Sequence, residues 1–223
     1  MRINHEKTYN NILEVVKLLN AQGNSAKNYL KEYHEIVDGT DHSQEYKNRK
    51  TEELMVAYYE GYGERKKAIR EVIGKIAEDE AINDAIVELD VPEYSNTVAI
   101  IRATEGKLPH EFIKNIKDNF AGNYNAISSI VALLEFYGLK PDSYGFKEYA
   151  RHSSDALNEI DIMVGNLERS QEAVFLDLRM IYEKIVTFGK VRGLMFSDEV
   201  LNDDALRDEV AEEEIAKRVM GIK

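Results

Sequence analysis

Cysteine and tryptophan are absent from the 223 residues, and proline occurs three times. Without cysteine there is no disulfide framework, thiolate zinc site, iron–sulfur cluster or thiol nucleophile. No apolar run reaches the ~18 residues that a membrane-crossing helix needs, so no membrane partner is expected. Met1-Arg2-Ile3-Asn4-His5-Glu6 lacks the apolar core of an export signal. The expected location is therefore cytoplasmic, or the host cytoplasm if a phage encodes the chain. Phosphate-cradling loops are also missing, with neither a Walker pattern nor Gly-x-Gly-x-x-Gly present. Gly61-Tyr62-Gly63 and the stretch from Gly189 to Gly193 have no strand before them and read as a helix irregularity and a linker.

Negative charge, by contrast, is plentiful. Asp and Glu number 41 against 29 Lys and Arg, for a net charge of −12. Nine acids face one base, Arg207, between Asp198 and Glu214, so most of the excess sits near the C-terminus. A chain this acidic repels phosphate backbones unless its cations are segregated, and direct nucleic-acid contact is not expected. An apolar content of 43% is enough to bury a core.

The apolar residues recur at helical spacing, and strand alternation is scarce. Tyr9, Ile12, Leu13, Val16 and Leu19 form one stripe, and Tyr29, Leu30, Tyr33, Ile36 and Val37 the next. Gly23 is expected to end a helix between them, with Ser25 capping its successor. A proline-free stretch from Ser43 to Glu80 reads as one helix about 50 Å long if unbroken, with Gly61 and Gly63 as its weak points. Ala81 to Leu89 reads as a short continuation stopped at Pro92. Three short helices follow: Ser95 or Asn96 to Glu105, His110 to Phe120 with Pro109 at its first position, and Tyr124 to Tyr137 closed by Gly138-Leu139. Ile127, Ile130, Val131 and Leu134 are the expected centre of this module. A second long helical stretch then runs from about 142 to 193, carrying Phe146, Tyr149, Ala150, Leu157, Ile160, Val164 and Leu167, with possible breaks at Gly165 and Ser170. Leu194-Met195-Phe196 precedes a mostly charged final helix, Asp203 to Met220.

The expected fold is all-α: a multi-helix bundle with two long helical stretches, coiled-coil-like in their charge pattern, flanking a compact three-helix module. The expected regions are 1–90, 91–141, 142–193 and an acidic tail at 194–223.

Two sets of side chains have metal-ligand character. Glu148, His152, Asp155 and Glu159 would share one helical face, although the apolar stripe of that helix lies largely on another side. Glu32, Glu35 and Asp38, beside His34, supply the Glu-x-x-Glu half of the pattern of all-helical nucleotide pyrophosphohydrolases. The matching Glu-x-x-Asp is absent, since Glu45, Glu52, Glu53 and Glu60 are followed three residues on by Asn48, Met55, Val56 and Gly63. Solvated acids are the simpler reading of both sets, and no metal or other cofactor is assigned. No Gly-x-Ser-x-Gly elbow exists. A helix-turn-helix over Ile116 to Ile130 would offer no Arg or Lys in its second helix. Tyr58, Tyr59 and Tyr62 read as packing between helices rather than a base-stacking platform.

The function expected from these features is non-catalytic: a helical interaction or assembly protein, self-associating, with protein partners. A phage assembly factor or host-system inhibitor fits the AT-biased composition. The residues expected to touch a partner are Leu194, Met195 and Phe196, together with Asp203, Asp204, Glu212, Glu213 and Glu214. Two alternatives remain open at this level: a carboxylate- and metal-dependent nucleotide hydrolase, and an acidic mimic of nucleic acid that occupies a basic partner.

Overall fold

A computed structural model describes residues 3–40, 42–87, 89, 92–167, 173–198 and 201–207. Among these the chain is all-helical, with no strand. The helices are α1 (Glu6–Asp38), α2 (Gln44–Ala85), α3 (Pro92–Ala103), α4 (His110–Asn119), α5 (Tyr124–Phe136), α6 (Ser153–Gly165) and α7 (Ala173–Val191), with short 3-10 turns at Pro141–Tyr144 and Asp204–Leu206. The chain divides into two compact units. The first comprises Met1–Ile12, Gly74–Glu159 and Ile185–Phe196, and the second Leu13–Ile73, Ile160–Lys184 and Ser197–Lys223.

The first unit contains the three-helix module. Ile101 of α3, Ile113 and Ile116 of α4, Phe120, and Ala126, Ile127, Ile130 and Leu134 of α5 form a single buried cluster, and Val131 packs on it half-buried. α5 begins where the Asn123 side chain accepts the Ala126 amide. It ends in the expected left-handed cap: Gly138 has φ +80°, and the Leu139 amide reaches back to the Leu134 carbonyl at 3.1 Å. Pro109 is the N-cap residue of α4 rather than its first helical residue.

The second long stretch does not begin where periodicity placed it. From 141 to 152 the chain runs through a 3-10 turn, a left-handed Gly145 and further turns. Phe146 is thereby delivered into the module's cluster, not onto a helical stripe. α6 starts only at Ser153 and ends at Gly165; Ser170 lies outside the described residues.

In the second unit, Gly23 does not end a helix. It sits inside α1, where a Cβ would collide with the Ala205 carbonyl oxygen. The glycine is a notch against which residues 201–207 pack, fastened by Asn20 Nδ2 to the Asn202 carbonyl and Lys27 Nζ to the Asp204 carbonyl. Gly61 and Gly63 likewise leave α2 unbroken, because burial of Tyr58, Tyr62, Ile69 and Ile73 holds that face in place. The last expected helix is described only as far as Arg207; Glu212, Glu213 and Glu214 lie outside the described residues.

The two helical glycines Gly23 and Gly63 should respond oppositely to alanine. Nothing lies within 4 Å of a Cβ at Gly63, so Gly63→Ala should stabilise by about 0.5–1 kcal/mol through helix propensity. Gly23→Ala gains the same propensity but must displace backbone at Ala205, and should destabilise by about 1–3 kcal/mol. Paired urea melts measure both signs.

Candidate functional site

The α2 stripe Ile69, Ile73, Ile76 continues at helical spacing into Glu80, Asn83 and Asp84, and these polar residues are as buried as the apolar ones before them. They lie within the first unit and are joined there by residues from four other stretches of chain.

Glu80 is fully buried. Its Oε1 accepts from Thr8 Oγ1 at 2.5 Å, His5 Nδ1 at 2.7 Å and Asn83 Nδ2 at 2.9 Å. Its Oε2 has no hydrogen bond and faces Arg192 Nε at 3.5 Å, which has none either. Asp84 Oδ1 accepts from Arg192 Nη1 at 2.9 Å. Asp84 Oδ2 takes the Ser153 amide at 2.9 Å and a short hydrogen bond from the Ser153 hydroxyl. Arg192 is held in turn by the Arg151 carbonyl and the face of Phe188. Asn83 completes a reciprocal pair with the backbone of Asn4. Asn125, at the start of α5, donates to the Asp84 and Ile86 carbonyls and so caps the end of α2.

His5 sets both ring nitrogens against acceptors, the second being the Gly122 carbonyl at 3.1 Å. Arg192 thus opposes two carboxylates, and the His5 ring adds a hydrogen bond to one of them. Burial alone would raise the Glu80 pKa, but the His5 and Thr8 hydrogen bonds and the charges of His5 and Arg192 outweigh it and hold the carboxyl below its usual range.

The same groups in an open cleft would suit acid–base chemistry. Here the side chains of Glu80, Asp84 and Arg192 are at most 2% exposed and both carboxylates face the one guanidinium, and the arrangement fastens residues 4–8 to the end of α2. Nor is a Ser–His–Asp relay present at His152. Its Nδ1 alone faces both Ser154 Oγ, at 2.8 Å, and Asp84 Oδ2, at 3.6 Å, whereas a relay needs the carboxylate and the nucleophile on opposite ring nitrogens.

The residues singled out from the sequence are not brought together as metal ligands. The expected face of Glu148, His152, Asp155 and Glu159 does not form, because Glu148 and His152 precede the start of α6. Arg151 instead takes Glu159 at 2.6 Å, Glu148 at 3.8 Å and the Asp155 carbonyl. Glu32 and Glu35 point to solvent, and Asp38 lies 3.8 Å from His34. Among the described residues no three His, Asp or Glu side chains are disposed to hold a metal. The polar residues of α5 are engaged internally, Asn125 as above and Ser129 with the Tyr94 hydroxyl at 2.8 Å. Tyr58 and Tyr62 are buried; Tyr58 stacks on Tyr29, and the Tyr62 hydroxyl donates to the Leu167 carbonyl.

Of the expected contact residues, Phe196 stacks on Tyr9 at 5.3 Å and fills the space beside Gly189, where a Cβ would clash with it. Leu194 is half-buried, and Met195 is 92% exposed. Asp203 pairs with Arg207 at 3.1 Å, and Asp204 is exposed. The Glu80 cluster went unrecognised in the sequence, although one signal was there: three polar residues at positions that extend an apolar stripe.

Glu80→Gln removes the anion and leaves the buried Arg192 facing Asp84 alone. Unfolding should cost about 3–5 kcal/mol less than in the parent at neutral pH. Because the Glu80 pKa is lowered on folding, the unfolded chain binds the extra proton first as pH falls. The contribution is therefore complete above the ordinary carboxylate value near ~4.3 and is lost as pH falls through the lower folded value. Denaturant melts between neutral pH and pH ~3 should show a smaller acid-side loss in Glu80→Gln than in the parent.

No protein-family model, curated protein or solved structure matches the chain.

Proposed function

We propose that this chain is a non-catalytic helical interaction protein that self-associates and acts through protein–protein contacts. One observation carries the reading: the buried ionisable groups of the first unit face one another while large apolar side chains stand open. Val37, Met55, Val56, Val87, Phe136 and Met195 are all exposed, Phe136 to 79%. Single exposed apolar residues are common on monomers, but here several are exposed along helices α1, α2 and α5. Met195 remains a candidate contact residue, being open beside a Phe196 that is anchored.

The charge pattern is in keeping with this role. Exposed acids and bases alternate on α2 in local pairs, such as Lys50 with Glu53 at 2.6 Å and Lys67 with Glu71 at 3.8 Å. Such pairs keep a helix soluble and contribute little stability of their own.

Light scattering over a range of concentrations tests the proposal. The expected weight-average mass rises above the 25.5 kDa of one chain. A mass that stays at one chain up to millimolar concentration overturns self-association.

A further inference from the structure

Arg65 of α2 is half-buried in a chain with 41 acidic residues, yet no Asp or Glu pairs with it among the described residues. Its side chain runs back toward the start of its own helix and lies over Gly61, where a Cβ would come within 3.1 Å of Nη1. From there it bridges to α1. Nε donates to Gln22 Oε1 at 2.7 Å, and Nη2 donates to Ser25 Oγ at 2.8 Å. Gln22 Nε2 in turn donates to the Tyr58 hydroxyl oxygen at 3.2 Å. Gln22, Ser25, Tyr58, Gly61 and Arg65 all belong to the second unit.

These hydrogen bonds use the acceptors of the set and leave donors over. Gln22 Oε1, Ser25 Oγ and the Tyr58 oxygen each accept already. The hydroxyl hydrogens of Ser25 and Tyr58, and the hydrogens on Arg65 Nη1, meet no acceptor among the described residues. Gln22 and Tyr58 are 2% and 7% exposed, so the floor of the set is fixed by packing, while Nη1 stays open to solvent. A guanidinium held only by neutral groups has lost part of its hydration and gained no counter-charge. A positive charge ringed by spare donors is the complement of an oxyanion, whose oxygens only accept.

We propose that Arg65, together with the Ser25 and Tyr58 hydroxyls, binds an oxyanion beside Gly61. Nη1 supplies the charge and its two hydrogens, and the hydroxyls turn their hydrogens to the same ligand. Gly61 has no side chain to push the guanidinium off the helix. The site is independent of self-association.

An NMR titration of the full chain with inorganic phosphate, and separately with acetate, tests the site, with chloride holding the ionic strength constant. Saturable shifts are expected at the Arg65 Nε–H and at the amides of residues 22–25 and 58–65. Arg65→Gln should weaken binding at least tenfold, and Ser25→Ala about threefold. Gly61→Ala keeps every binding group but crowds the guanidinium, and should weaken binding about threefold with helix content unchanged. Lys67→Gln removes the same charge from an exposed position on the opposite side of α2 and should leave binding unchanged. Circular dichroism checks that each variant stays helical. Tighter binding of phosphate assigns the site to phosphoryl groups, and tighter binding of acetate assigns it to carboxylates. The proposal is overturned if neither anion gives saturable shifts up to tens of millimolar, or if Arg65→Gln or Gly61→Ala binds as well as the parent. It is overturned equally if Lys67→Gln weakens binding as much as Arg65→Gln, since the attraction is then diffuse.

Discussion

The first unit is organised around a closed set of charges. Burying a carboxylate is expensive unless its partners are buried with it, so Glu80 and Asp84 dictate much of what surrounds them. Arg192 must follow the last turn of α7, and His5 must lead into α1. The Gly122 carbonyl must turn toward the ring, and Ser153 must offer both its amide and its hydroxyl. The apolar cluster of α3, α4 and α5 supplies area, but it tolerates many arrangements of similar volume. The ionic set tolerates few, because each displaced member leaves a buried charge without its counterpart. The set acts as a fastening, because each carboxylate already faces the Arg192 guanidinium inside the fold.

The second unit is held by different means. Tyr58, Tyr62 and Tyr29 provide broad apolar faces with polar tips, and those tips find Gln22 and the Leu167 carbonyl. Arg65 donates to Gln22 and Ser25, and Arg70 makes a two-pronged contact with Asp161 that lowers the carboxyl's pKa. Where these contacts stop, burial stops as well, and the hairpin arms continue as helices with a half-open apolar side. Short helices in water are marginal when no packed face supports them.

Helical periodicity was legible for a simple reason. The apolar residues of α1, α2 and α5 repeat every three to four positions, and no turn chemistry competes with them. Asn123 and Gly138-Leu139 likewise mark the ends of α5 with local hydrogen bonds that need no tertiary partner. Glycine misled where its role was not conformational. Gly23 resembles a helix terminator, yet its missing Cβ serves an approach by Ala205, far away in sequence. Phe146 fits a helical stripe by spacing and is instead drawn into the module by the turn that Pro141 and Gly145 impose.

The sequence by itself determined an acidic, all-helical chain with a compact three-helix module, because composition and 3.6-residue periodicity are local properties. Tertiary structure alone decided which polar residues are buried together. His5, Glu80, Ser153 and Arg192 are scattered along the chain, and nothing in their spacing pairs them. Their association follows from desolvation, which acts only once the helices have closed around them and each charge must find an opposite one within reach.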